Sequence, residues 1–64
     1  MVRINGKEES VCGMRLYDYL VQNQYSPEGI AVECNEEILP KDQYQTYVLK
    51  DDDVIEIVSF VGGG

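Results

Sequence analysis

Residues 2–5 alternate between apolar and polar positions, which is the pattern of a half-buried strand. Val2 and Ile4 are separated by one polar residue, and Asn5-Gly6 follows them directly. This dipeptide readily takes the two positive φ angles of a type I′ turn, the usual connection of a two-residue hairpin. We therefore predict a β-hairpin whose second strand covers about residues 8–12.

The period of the apolar positions changes in residues 14–23. Leu16 and Leu20 lie four residues apart, and together with Tyr17 and Val21 they form one apolar stripe. This spacing predicts an amphipathic helix that crosses one face of a sheet.

Alternation returns in residues 30–34, after a loop at 25–29 that contains Pro and Gly. A turn at Asn35-Glu36 then leads into a short strand over residues 37–39. Residues 41–47 are polar and rich in Gln and Tyr, which is typical of a helical turn or an irregular crossover. We expect the tyrosines of this segment to pack on the sheet.

The last apolar run, residues 54–61, is the most β-prone segment of the chain, and it follows the acidic triplet of residues 51–53. We interpret the triplet as a solvated turn, because Asp favours turns and three consecutive side chains do not converge easily on a metal ion. The order strand, strand, helix, strand, short strand, strand predicts an α+β domain. It suits a β-grasp roll with one main helix and a mixed sheet of four to five strands, the last strand lying beside the first.

Composition excludes several classes of function. The 64 residues include 12 acidic and 5 basic side chains, and the net charge of −7 repels phosphate backbones, so we expect no nucleic-acid partner. No apolar run approaches the roughly 18 residues that cross a bilayer, so we expect a cytoplasmic protein without a membrane contact. There is no histidine, and we interpret Cys12 and Cys34 as small buried hydrophobes. We therefore expect no enzyme activity, no metal site and no cofactor bound by this chain.

The candidate chemistry lies in the final residues, Gly62, Gly63 and Gly64. We expect a domain over residues 1–61 and a flexible tail over 62–64, because glycine samples extended and left-handed conformations freely. The extended tail reaches about 10 Å, at roughly 3.3–3.6 Å per residue, which places the Gly64 carboxylate inside the active site of another protein. Gly62 and Gly63 would thread a channel too narrow for side chains. The carboxylate, ionised at neutral pH, accepts a sulfur or amine nucleophile only after activation such as adenylation.

Strand alternation also indicates a docking surface. If Ile55 and Ile57 face the helix, then Glu56, Val58 and Phe60 face outward. We expect this patch beside the tail to contact the partners, since exposed apolar patches usually mark interfaces. The alternative is an ordinary set of sheet-surface hydrophobes.

Over essentially all 64 residues the chain resembles the ThiS family, the sulfur carrier proteins of thiamine thiazole biosynthesis within the ubiquitin-like β-grasp group. The resemblance rests on the short length, on residues 35–40 (NEEILP), on residues 51–57 (DDDVIEI) and, most specifically, on the Gly-Gly end directly after a strand. The chain departs from the family pattern at two positions. Asp52 stands where the family often has Gly, which we expect to strain the turn, and Gly62 lengthens the glycine end.

The resemblance implies a mechanism and a set of partners. A ubiquitin-activating-type adenylyltransferase, which uses ATP and magnesium itself, would form an acyl-adenylate on Gly64. A cysteine-derived persulfide would supply the sulfur of a Gly64 thiocarboxylate, and thiazole synthase would take that sulfur.

Three alternatives stay open at this point. The same fold serves carriers for molybdopterin or another sulfur metabolite. A protein modifier would join lysines through Gly64, and an interaction module would have an inert tail. Deletion of Gly63 and Gly64 would leave the function of that last class unchanged.

Overall fold

The computed structural model describes residues 1–60, so the predicted tail, Gly62 to Gly64, lies outside the described residues. The described chain forms one helix and a five-stranded sheet, with two short 3₁₀ turns at Pro27–Gly29 and Lys41–Gln43. The elements are β1 (Val2–Ile4), β2 (Lys7–Glu9), α1 (Leu16–Gln22), β3 (Ile30–Cys34), β4 (Glu37–Ile38) and β5 (Val54–Ser59).

The strand order across the sheet is β2-β1-β5-β3-β4. β1 and β5 run parallel, whereas the other neighbouring strands are antiparallel. The last strand therefore lies beside the first, at the centre of a mixed sheet. This confirms the predicted α+β β-grasp arrangement.

The hairpin has the predicted turn but a shorter second strand. Asn5 and Gly6 have φ angles of 51° and 84°, as a type I′ turn requires. The prediction that β2 extends to Cys12 is wrong, because the chain leaves the ladder after Glu9. Further along, Gly13 has a φ of 91° and donates its N–H to the carbonyl of Leu49, outside the hairpin.

α1 is shorter than predicted and buries a different stripe. Its buried residues are Leu16, Tyr19 and Leu20, while Val21 is 52% exposed. The inclusion of Val21 in the stripe was wrong. At 100° per residue, Tyr19 lies 60° from Leu16 around the helix axis, whereas Val21 lies 140° from it.

The core lies between α1 and the inner face of the sheet. It also contains Tyr44 and Leu49 from the segment before β5, and the half-buried Tyr47 packs against it, as expected for these tyrosines. The buried strand residues alternate along each strand, as the sequence predicts: Val2, Ile4, Ile30, Val32, Ile55 and Ile57.

The two cysteines differ from each other. Both thiols are free, and Cys34 is half-buried on β3, where it donates to the Tyr47 hydroxyl (Sγ–O distance 3.2 Å). Cys12 is exposed, so its predicted burial is wrong. The reason is that β2 ends before it and the residue falls in a turn.

Within residues 1–60, no helix has the length and apolar character needed to cross a membrane. The same residues bring together no group of three or more His, Cys, Asp or Glu side chains that could hold a metal ion.

Candidate functional site

β5, the strand that leads to the predicted tail, is paired along both edges. Its parallel register with β1 matches Ile4 with Ile55, and its antiparallel register with β3 runs over five residue pairs. The last described residue, Phe60, still donates its N–H to the Gly29 carbonyl (3.0 Å). The end of β5 is therefore fixed relative to the sheet.

The turn residue Asn5 adds a side-chain contact to this pairing. Its N–H donates to the Ile55 carbonyl (2.9 Å), and its side-chain oxygen accepts the Ile57 N–H (2.7 Å). Asn5 thus extends the short β1 by one residue along β5. Two hydrogen bonds thus join the hairpin turn to the central strand, β5.

A buried carboxylate holds the start of β5. Asp53 is 6% exposed and accepts hydrogen bonds from the Asn35 side chain (3.0 Å), the Tyr47 hydroxyl (2.6 Å) and the Lys50 N–H (2.9 Å). Asn35 in turn accepts the Val54 N–H through its side-chain oxygen (2.9 Å). The interpretation of residues 51–53 as a solvated turn is therefore wrong for Asp53, although the two preceding aspartates are exposed.

The protonation of this network follows from its contacts. Burial raises the pKa of Asp53, but the hydrogen bonds from Tyr47, Asn35 and Lys50 favour the charged carboxylate more strongly, and the pKa is lowered overall. Burial and the hydrogen bond to Asp53 raise the pKa of Tyr47. Asp53 is thus a charged acceptor and Tyr47 a neutral donor at neutral pH.

Asp52, next to this carboxylate, has the backbone conformation that the sequence comparison with the family pattern suggested. Its φ is 71°, in the left-handed region that favours glycine. Its N–H donates to the Met1 carbonyl (2.8 Å), which joins the turn to the residue that precedes β1. An L-residue in this conformation is strained.

The predicted docking residues lie on the open face of the sheet. Ile55 and Ile57 are 0% and 7% exposed, whereas Val58 and Phe60 are 59% and 64% exposed, and Glu56 is exposed as well. This confirms the predicted division of β5 into two faces. We call the solvent-facing side of the five strands the outer face.

Sequence reasoning missed the contribution of β3 and β4 to the outer face. The register places Ala31 opposite Val58 and Glu33 opposite Glu56, and Ile38 of β4 lies opposite Glu33. The signal was present, because the alternation that buries Ile30 and Val32 also turns Ala31 and Glu33 outward. The part of the outer face formed by β5, β3 and β4 is therefore apolar with acidic residues inside it, and it lies beside the fixed end of β5. Such a surface suits contact with another protein.

Comparison with known proteins gives one consistent result. The sequence model of the ThiS family matches residues 2–64. The chain is 42% identical over 67 aligned positions to the sulfur carrier protein ThiS of Bacillus subtilis, and the match covers 100% of both chains. A crystal structure of the thiamine biosynthesis protein ThiS from Geobacter metallireducens has a TM-score of 0.75 and 30% identity, covering 98% of this chain and 97% of that one.

A second kind of relative is much longer than this chain. The chain is 36% identical over 64 positions to a thiazole synthase of Magnetococcus marinus. The match covers 98% of this chain but only 20% of that protein. The chain thus spans about a fifth of the length of that relative.

Proposed function

This chain belongs to the ThiS family, and on that premise we propose that it is a sulfur carrier for thiazole formation in thiamine biosynthesis. The observation that carries the proposal is the match to the Bacillus subtilis sulfur carrier, which spans 100% of both chains. The reacting group in this proposal is the Gly64 carboxylate, and the chain is the substrate of its partner enzymes, not a catalyst. We assign this chemistry to the cytoplasm.

The first step is activation of Gly64. A carboxylate oxygen attacks the α-phosphorus of ATP, and an acyl-adenylate forms while pyrophosphate leaves. ATP and magnesium are bound by a ubiquitin-activating-type adenylyltransferase. The acidic surface of this chain supports that assignment, because a net charge of −7 disfavours binding of a nucleotide triphosphate.

The second step introduces sulfur. The terminal sulfur of a cysteine-derived persulfide attacks the acyl carbon, and AMP leaves. A thiol reductant then supplies two electrons to cleave the resulting acyl disulfide, which releases a Gly64 thiocarboxylate and the donor thiol. Thiazole synthase takes the sulfur from this thiocarboxylate.

The fixed end of β5 supports the proposed delivery. Gly64 lies four positions beyond Phe60, and a chain extended at roughly 3.3–3.6 Å per residue reaches about 13–14 Å over that distance. Gly62 and Gly63 present no side chain to a narrow channel. The domain would therefore dock outside an enzyme while Gly64 reaches its active site.

The thiazole synthase relative supports the choice of partner. In Magnetococcus marinus, a segment similar to 98% of this chain makes up about a fifth of a protein named thiazole synthase. Two functions joined in one polypeptide often act on each other, so a thiazole synthase is the receiving partner that we propose here. Glu56, Val58 and Phe60 would form the docking surface for it and for the adenylyltransferase.

Intact-mass spectrometry tests the proposal. The chain is incubated with the cognate adenylyltransferase, ATP, magnesium and a persulfide donor with a thiol reductant. Replacement of one carboxylate oxygen by sulfur adds about 16 Da. Since methionine oxidation adds the same nominal mass, the change is located by fragmentation and by reaction of the thiocarboxylate with an alkylating reagent.

Two variants serve as controls. The Cys12→Ser variant should be converted as the unchanged chain is, whereas deletion of Gly63 and Gly64 should abolish conversion. A mass change located on Cys12 or Cys34, or no change with every component present, would contradict the proposal.

A further inference from the structure

Glu33 of β3 and Glu56 of β5 are paired residues on the outer face. Asn35 and Val54 lie two positions further along the same pair of strands, and the Asn35 N–H donates to the Val54 carbonyl (2.8 Å). Because hydrogen-bonded pairs recur at every second position, the two glutamates also form such a pair, with Cα atoms about 5.5 Å apart. Their side chains leave the sheet on the same side. We call these two adjacent carboxylates the acid pair.

The acid pair is not neutralised within the described part of the chain. Its members form no salt bridge among residues 1–60. Arg3, which lies opposite Val54 on the neighbouring β1, is bound to Glu8 (2.8 Å). Like charges placed directly opposite each other destabilise an antiparallel pair. The isolated domain therefore carries an unfavourable arrangement that no side chain of this region relieves.

Apolar side chains surround the acid pair. Along β5 the exposed Val54 and Val58 lie on the two sides of Glu56. Ala31 lies two residues before Glu33 on β3, and Ile38 lies opposite Glu33 on β4. A protein that covers these apolar side chains also removes water from the carboxylates. Since burying an unpaired charge is costly, such a partner must bring positive charge to this position.

We propose that the acid pair binds an arginine side chain of the adenylyltransferase that acts on Gly64. This inference rests on the proposed function and names the chemistry of its docking site. A guanidinium is planar, always charged and rich in donors, so one side chain can bridge both carboxylates, whereas a lysine ammonium is a point charge. The net charge of −7 attracts a basic surface from a distance.

The same charges argue against a second copy of this chain on the outer face. In a two-fold contact the same patch meets itself, so the acid pair of one copy would approach the acid pair of the other. Removal of water from four like charges is unfavourable. The acid pair thus favours a basic enzyme surface and disfavours self-association.

The test compares two double variants with the same change of charge. Glu33→Gln/Glu56→Gln neutralises the acid pair. Glu37→Gln/Asp42→Asn neutralises two exposed acids elsewhere, since Glu37 faces away from the outer face and Asp42 lies in a short 3₁₀ turn. Affinity for the purified cognate adenylyltransferase is measured by calorimetry, and the melting temperature of each free variant is measured alongside.

We expect Glu33→Gln/Glu56→Gln to weaken binding by about 30-fold or more, because it removes the partners of a buried cation. Its melting temperature should equal or exceed that of the unchanged chain, because the like-charge contact is gone. The control double variant should bind within about threefold of the unchanged chain. Loss of binding without loss of stability is the signature of a docking role.

A double-mutant cycle identifies the partner cation. Replacement of the correct arginine on the enzyme by alanine should weaken binding of the unchanged chain. It should have little further effect on binding of Glu33→Gln/Glu56→Gln. The inference is overturned if both double variants bind equally, if no arginine on the enzyme couples to the acid pair, or if the unchanged chain dimerises through this face.

A conversion assay distinguishes failure of the proposed function from failure of the docking inference. At saturating adenylyltransferase, Glu33→Gln/Glu56→Gln should still be converted to the Gly64 thiocarboxylate, with a raised KM and an unchanged kcat. If the unchanged chain itself is not converted, the proposed function fails whatever the glutamates do. If it is converted and its KM does not depend on the acid pair, only the present inference fails.

Discussion

The two faces of β5 carry similar apolar side chains in opposite surroundings. Ile55 and Ile57 are covered by the helix and the core, whereas Val58 and Phe60 are open to solvent on the outer face. An antiparallel sheet that has one face in water usually places polar residues there. The inner side chains therefore build the core, whereas the outer ones leave most of their surface open to contact with another protein. The following experiments separate these two roles.

The largest effect is expected on the inner face. Replacement of the fully buried Ile55 by alanine should lower the free energy of unfolding by about 2–5 kcal/mol, through lost burial and the cavity left behind. That is a large share of the total stability of a domain of this size. Chemical denaturation measures it, with Val58→Ala as the matched outer-face control. Val58→Ala should stay within about 0.5 kcal/mol, and equal losses for both variants would remove the distinction between the faces.

A smaller loss of stability is expected at Asp53, directly before β5. Asp53→Asn replaces a charged acceptor of three hydrogen bonds by an amide that also presents donors, so we expect a loss of about 1–3 kcal/mol at neutral pH.

The same variant should change the response to acid. The pKa of Asp53 is lowered in the folded chain, so its contribution is present above the unfolded value of about 3.9 and is lost as the pH falls through the folded pKa. The melting temperature should therefore fall less steeply between pH 6 and pH 2 for Asp53→Asn than for the unchanged chain. Asp42→Asn, at an exposed position, should follow the unchanged chain; parallel curves for all three proteins would mean that Asp53 is not the titrating group.

On the outer face we expect an effect on binding alone. Phe60→Ala should leave the melting temperature unchanged and weaken the adenylyltransferase complex by about tenfold or more, since exposed aromatic side chains often dominate an interface. The control is Val21→Ala, which removes an exposed apolar side chain from the helix on the other side of the sheet. Calorimetry that shows the same affinity for both variants would place the docking surface elsewhere.

The smallest effect is expected in the turn before β5. There the neighbouring Asp52 and Asp53 are exposed and buried, respectively, as the outer and inner residues of β5 are. Asp52 is exposed and has a φ of 71°, so Asp52→Gly should relieve strain and raise stability by about 0.5 kcal/mol, part of the gain being offset by the greater freedom of the unfolded chain. Asp42→Gly, where φ is not positive, should lower stability by about 0.5–1 kcal/mol. If denaturation midpoints move in the same direction for both, the backbone of Asp52 is not strained.

Local patterns predicted those parts of the fold in which neighbours in sequence decide the outcome. The Asn5-Gly6 turn and the two faces of β5 follow from backbone preference and from the period of two. Long-range contacts decided the rest. Asp53 is buried because Asn35, 18 residues before it, and Tyr47 converge on it, and no local signal distinguishes it from the exposed aspartate before it.

The candidate site shows the same division. Glu56, Val58 and Phe60 were found from the alternation of one strand. The alternation of β3 turns Glu33 outward, but the positions of Glu33 and Ile38 beside Glu56 depend on the register of three strands. A shift of one residue would turn a strand's side chains to the other face. A surface that spans several strands is therefore harder to predict than any of its strands.

The central position of β5 also determines how the domain responds to mechanical force. A pull along the end of this strand would have to slide it past β1 and β3 at once, in shear. The backbone bonds on both edges then resist together, and cannot open one after another as they would in a peeled edge strand. An enzyme that binds the glycine end and draws it inward would thus pull on a strand that is hydrogen-bonded along both edges.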